Sequence, residues 1–173
     1  MYSINLDERT NKKLSATLIL NVQNIAQVKK KIINREINCC AIKPKLIVDI
    51  FQVIVAANKA ALKGHSGKFI TGSINTEILF NLSISNNKLK SFSMFGIDET
   101  DKDLLLCVVE DVEGNEFEEV KKAFDGQFCD VNNLKSLTDE SVVAKEYKIP
   151  QEELKVSTLL DSVITRIATK EPY

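Results

Sequence analysis

The stretch DIFQVIVAANKAALK, residues 49–63, is apolar around most of its length yet carries Gln52, Asn58, Lys59 and Lys63. At about 100° per residue, Asp49, Gln52, Ala56, Lys59 and Lys63 fall within a sector of roughly 80°. Phe51, Val53, Ile54, Val55, Ala57, Ala60, Ala61 and Leu62 fill most of the remainder. The spacing predicts a central helix over 50–63, buried nearly all round, with one narrow polar stripe. Asp49 suits its N-cap and Gly64 its stop. Asn58 lies off the stripe, on the apolar side. A buried amide needs a partner, and a neighbouring loop is the natural source. Lys59 and Lys63 admit two readings. They form a solvated edge, or they join His65 and Lys68 in a basic corner that binds an anion.

Working outward, LSATLILNV (14–22) and DLLLCVVE (103–110) read as buried strands, and QFCDV (127–131) as a third. NIAQVKKKIINRE (24–36) places Ile25, Val28, Ile32 and Ile33 at helical spacing, with Asn24 as its expected cap. Pro44 marks a turn or a helix start. SINTEILFNLS (73–83) and KLKSFSMFGI (88–97) read as two short helices after the loop KGHSGK (63–68). NEFEEVKKAFDG (115–126) is an amphipathic helix with an acidic first turn, closed by Gly126. DESVVAKEY (139–147) is a short helix, and VSTLLDSVITRIATK (156–170) is the terminal one. Strands and helices mix without regular β-α-β alternation. The expected class is therefore α+β: one domain over 1–173, a small mixed sheet of about three or four strands, and several helices packed on it.

Composition narrows the function. The 173 residues carry a formal net charge of −1, so no bulk field draws the chain to nucleic acid or an anionic membrane. The N-terminal MYSINLDERTNKK has no apolar signal-peptide core, and no apolar run nears the roughly 20 residues of a membrane span. Cys39, Cys40, Cys107 and Cys129 show no zinc-ligand spacing and read as reduced structural thiols of an intracellular protein. The one histidine, His65, falls in a loop with no serine or cysteine to pair with. The carboxylates of EFEEV and QEEL belong to helix faces. These features favour a binding or scaffolding protein over an enzyme and imply no cofactor or metal.

On the terminal helix Val156, Leu159, Leu160, Val163, Ile164 and Ile167 form one apolar arc. The opposite face holds Thr158, Ser162, Thr165 and Thr169, with only Asp161 and Arg166 charged between Val156 and Thr169. Small neutral residues are cheap to desolvate. The helix is either sandwiched within its own domain or offered to a partner.

VDIFQVIVAANKA (48–60), NTEILFNLS (75–83) with NNKL (86–89) and FGI (95–97), and TLLDSVITRIATK (158–170) resemble the TPRKB family. Its members are the small subunit that binds the PRPK-type kinase of the KEOPS (EKC) complex. The resemblance implies a non-catalytic regulatory subunit, cytoplasmic and nuclear, that stimulates the kinase-like ATPase. It also implies indirect contact with the threonylcarbamoyl transferase subunit and help in recruiting tRNA by its 3′ CCA end. Carried onto this chain, the kinase-docking residues are Leu159, Leu160, Ser162, Val163, Thr165, Arg166 and Ile167. The tRNA-binding residues are Asn58, Lys59, Lys63, Lys68 and Lys88. Relatives often place proline where Ile50 stands. Archaeal ones often place an arginine where this chain has Asn86-Asn87-Lys88, and lysine lacks the arginine fork. The alternatives are a stand-alone RNA-binding module and a small enzyme.

Overall fold

Apolar residues on successive positions of a strand point to opposite faces, so a strand apolar throughout must be covered on both sides. The computed structural model, which describes residues 1–171, has this arrangement. Its strands are β1 (Tyr2–Asn5), β2 (Lys12–Leu20), β3 (Cys40–Ile42), β4 (Leu104–Asp111) and β5 (Gln127–Cys129). Their order is β1-β2-β4-β3, with β5 also paired to β2, and every pairing is antiparallel. β1 takes residues 13–16 of β2 and β5 takes 18–20, so the two lie end to end along the edge of β2 away from β4. The α+β class is as expected. The sheet differs in being wholly antiparallel and in having five strands. The extra pair, β1 and β3, hold four and three residues, too few to show a period.

Leu14, Ala16, Leu18, Leu105, Cys107 and Val109 face one core. Over it lie α2 (Ile50–His65), α3 (Ile74–Leu82), α4 (Lys88–Phe95), α6 (Glu140–Glu146) and α8 (Leu159–Thr169). Ile19, Leu104, Leu106 and Val108 face a second core under α1 (Ile25–Ile33) and α5 (Glu116–Lys121). A one-turn helix, α7 (Gln151–Leu154), precedes α8. Each buried leucine or valine contributes about 2 kcal/mol. A surface ion pair gives about 1 kcal/mol or less. The two cores, not the charges, therefore fix the layering. Among the described residues no helix is long and apolar enough to cross a membrane.

α2 begins as the sequence predicts: the Asp49 carboxylate accepts the Phe51 amide at 2.8 Å. It runs on through Gly64 to His65. The stop is Gly67, at φ +69°, whose amide bonds the Gly64 carbonyl at 3.0 Å. Gly64 instead makes room for an aromatic ring, since a Cβ there would stand 2.6 Å from Phe69. The polar stripe also departs from expectation, since Gln52 is 0% exposed. Its side-chain oxygen accepts the Val48 amide at 2.8 Å, and its nitrogen donates to the Leu46 carbonyl at 3.0 Å and the Tyr147 hydroxyl at 2.9 Å. At Gln52 the stripe faces the end of α6 and the turn that opens at Pro44, not water. Asn24 does not cap α1 with its side chain. Its amide instead takes the Asp125 amide at 3.0 Å and the Ala123 carbonyl at 2.9 Å, holding the turn before β5. The four cysteines are free, and burial pushes the Cys39 thiol up to about 12, so it stays protonated at neutral pH.

Gln52→Leu keeps the shape but strands the part-buried Val48 amide and the buried Leu46 carbonyl. Urea unfolding should show a loss of about 3 kcal/mol. A loss below about 0.5 kcal/mol, the range of neutral surface changes, would show that water takes over these bonds.

Candidate functional site

Thr158 caps α8, its hydroxyl accepting the Asp161 amide at 3.1 Å. Val163 and Ile167 sink into the core, and Leu159 packs half-buried beside them. Ser162, expected on the outer face, is buried as well, and its hydroxyl meets that of Ser157 at 3.1 Å. The outer row of α8 is Leu160, Ile164 and Ala168, repeating every four residues, and Val156 lies in the turn between α7 and α8. Val156 is 89% exposed, Ala168 is exposed, and Leu160 and Ile164 are half-buried outside both cores. The helix is thus rotated from the sequence expectation. Part of the apolar arc turns to solvent, while a serine turns inward.

Arg166 supplies one reason for this rotation. Its guanidinium holds Glu153 of α7 through two bonds of 2.8 and 2.7 Å. It also donates to the Ser162 and Lys148 carbonyls at 3.1 and 3.2 Å. Arg166 holds the Glu153 carboxyl below its ordinary range. This fork draws the Ser162–Arg166 flank toward α7. Of the seven predicted docking residues, Ser162, Val163 and Ile167 are therefore interior supports, and Arg166 is a staple. Leu160 and Thr165 reach the surface.

Beside the outer row, Ala168 lines a groove of about 380 Å³ whose other wall is Phe51, Ile54, Val55 and Asn58 of α2. Phe51 is 49% exposed.

Two of the predicted RNA-binding residues are engaged within the fold. The Asn58 side-chain oxygen accepts the Asp7 amide at 2.8 Å and so holds the β1–β2 turn. Lys59 donates to the carbonyls of Ile167 and Lys170 at 2.7 and 3.1 Å, where it caps the end of α8. Burial lowers its pKa, and the nearby Lys63 adds to the effect. Lys59 is thus not the free edge lysine the wheel suggested. Lys63 is half-buried in the last turn of α2, Lys68 is exposed in the loop beyond, and Lys88 is exposed at the start of α4. A separate recess of about 530 Å³ opens between the end of α1 and the α3–α4 pair. Ile37, Leu79, Phe92 and Ile97 line it, together with Lys29 and Arg35.

Sequence reading missed Lys170. Its ammonium donates to the carbonyls of Phe80, Ser83 and Ser85 and lies 3.6 Å from the Phe80 ring centroid. A lysine at a helix end is a familiar signal. That it serves a different helix follows only from the fold.

The family model for the kinase binding protein CGI-121 matches residues 19–171. A zebrafish protein (Danio rerio), named as EKC/KEOPS complex subunit TPRKB, is 37% identical over 155 residues, which is 89% of each chain. Two yeast proteins named as EKC/KEOPS complex subunit CGI121 also match. The Debaryomyces hansenii one is 32% identical over 49% of this chain and 44% of its own. The Yarrowia lipolytica one is 23% identical over 81% of this chain and 82% of its own.

Neighbouring residues on α8 should respond oppositely to charge. Val163→Asp places a carboxylate in the core and should cost about 4 kcal/mol in chemical unfolding. Ile164→Asp should stay within about 0.5 kcal/mol of the parent chain. Equal losses would mean that the outer row is not outer.

Proposed function

The chain belongs to the CGI-121 family of kinase-binding proteins, and we propose that it serves as the non-catalytic subunit of an EKC/KEOPS complex that docks on and stimulates the kinase. The observation that carries this reading is the Leu160–Ile164–Ala168 row of α8 left outside both cores, with exposed Val156 in the turn before it and Phe51 across the groove from Ala168. A row of aliphatic side chains outside the core gains by being covered, at about 25 cal/mol per Å² of apolar area. The neutral Thr165 beside it costs little to desolvate. Leu159, Ser162, Val163 and Ile167 fix the helix from beneath, and Arg166 fixes its flank. The transferase subunit is reached indirectly, through the kinase, in the cytoplasm and nucleus.

We infer a second, weaker contact with tRNA. Single-stranded nucleic acid binds where cations track the backbone and an aromatic face stacks a base. Lys88 and Phe92 stand four residues apart on α4, one turn along the same face. Phe92 lines the recess that Lys29 and Arg35 border. An unpaired 3′ end fits this combination, with Lys63 and Lys68 as further phosphate partners. Asn58 and Lys59 contribute by holding the α2–α8 framework, and any direct RNA contact by Lys59 uses its remaining N–H. With a net charge of −1, binding rests on a few lysines.

Ile164→Glu should weaken capture of the purified kinase by about thirty-fold or more, the effect of losing a 2 kcal/mol anchor. The melting point should hold. Undiminished capture would remove α8 from the interface. In a gel shift with a tRNA transcript, Lys68→Glu with Lys88→Glu should cut affinity at every salt concentration and flatten the salt slope by about 2. An unchanged slope would mean that these lysines do not touch phosphate.

A further inference from the structure

The end of α8 is tied to two other helices by a pair of lysines. Lys59 of α2 donates to the carbonyls of Ile167 and Lys170, so the backbone that carries Lys170 is itself clamped. From there Lys170 reaches the end of α3 and the turn beyond it, with bonds of 2.8 Å to Ser83 and 2.8 Å to Ser85 besides the one to Phe80. All three N–H donors of the ammonium are used. Burial, with the Lys59 charge beside it, lowers Lys170 to about 8. The carbonyls at the negative end of α3 offset that penalty.

The turn that Lys170 grips leads into Lys88 and α4. Its own bonds are local: the Ser85 amide to the Ser83 hydroxyl at 3.0 Å, and the Asn87 amide to the Ser85 hydroxyl at 3.1 Å. The Ser91 hydroxyl closes it on the Asn87 carbonyl at 2.9 Å. Such short-range bonds open readily unless a distant element holds them. Among the bonds to the Ser83 and Ser85 carbonyls, the Lys170 ammonium is the long-range partner, 87 and 85 residues away.

We propose that Lys170 is a positioning residue that couples the kinase-docking helix to the RNA-facing turn. Helix ends fray, and the last turn of α8 carries both the Ala168 wall of the groove and Lys170. A partner seated on α8 suppresses that fraying. It thereby holds Lys170 on its three carbonyls, and the 83–88 turn opens less often. The coupling runs both ways, since a ligand that orders the turn also orders the end of α8. The inference rests on the docking reading above.

The test is amide hydrogen exchange across residues 83–91, in the free chain and with saturating purified kinase, for the parent chain, Lys170→Met and Lys170→Arg. Kinase should slow exchange about five-fold or more in the parent chain, the low end of ordinary coupling. It should leave exchange there unchanged in Lys170→Met and restore part of the slowing in Lys170→Arg, whose fork also reaches carbonyls. A general loss of stability would raise exchange in both states and leave the kinase-dependent difference intact. Kinase-dependent slowing that persists in Lys170→Met, or that is absent from a parent chain shown by gel filtration to hold the kinase, would overturn the coupling. Absence of any complex with the parent chain would instead overturn the docking reading. Should Lys170→Met lose its circular dichroism signature, Lys170→Gln takes its place with the same expected outcome.

Discussion

A helix packed against several neighbours must satisfy its polar side chains within the protein, and α2 is such a helix, although its Phe51–Ile54–Val55 flank is more open than the wheel predicts. Gln52, Asn58 and Lys59 each answer that requirement by bonding a different neighbour. Gln52 fastens the segment around Leu46 and the hydroxyl of Tyr147. Asn58 fastens the turn between the first two strands. Lys59 fastens the end of α8. The amide and the ammonium in so apolar a stretch are thus the connectors of the fold. The helix they extend from organises the layer above the sheet.

The position of α8 follows from those connections. Lys59 holds its C-terminal end and Arg166 holds its flank to α7. With these two restraints Val163 and Ile167 face inward, and Leu160, Ile164 and Ala168 are left outside. An apolar row held outside by these two contacts does not turn into its own core. That arrangement suits a family of kinase-binding proteins.

Much of this was legible in the residues. Periodicity located β2, β4 and most helices, and the Asp49 cap was read correctly because capping is a local interaction. What failed was tertiary. Gln52, Lys59 and Lys63 share a stripe on a helical wheel, but the wheel cannot show that α6 covers the first and the end of α8 takes the second. The same limit misplaced Ser162, which a nearby Ser157 and a close-packed α7 draw inward. Tyr2–Asn5 and Cys40–Ile42 become strands because β2 and β4 offer open edges, not through any pattern of their own. The resemblance placed its docking residues on the terminal helix, and three of the seven lie beneath the surface.

The claim on which the account stands is that the outer row of α8 and Phe51 form the kinase-facing surface. Hydroxyl-radical footprinting of the chain alone and in complex, read residue by residue by mass spectrometry, measures that directly. The account predicts that Phe51, Val156, Leu160 and Ile164 lose reactivity in the complex, while Phe128 on β5 and Ile33 at the end of α1 do not. Full reactivity at the first four residues, with protection on the α1 side of the sheet, would contradict it.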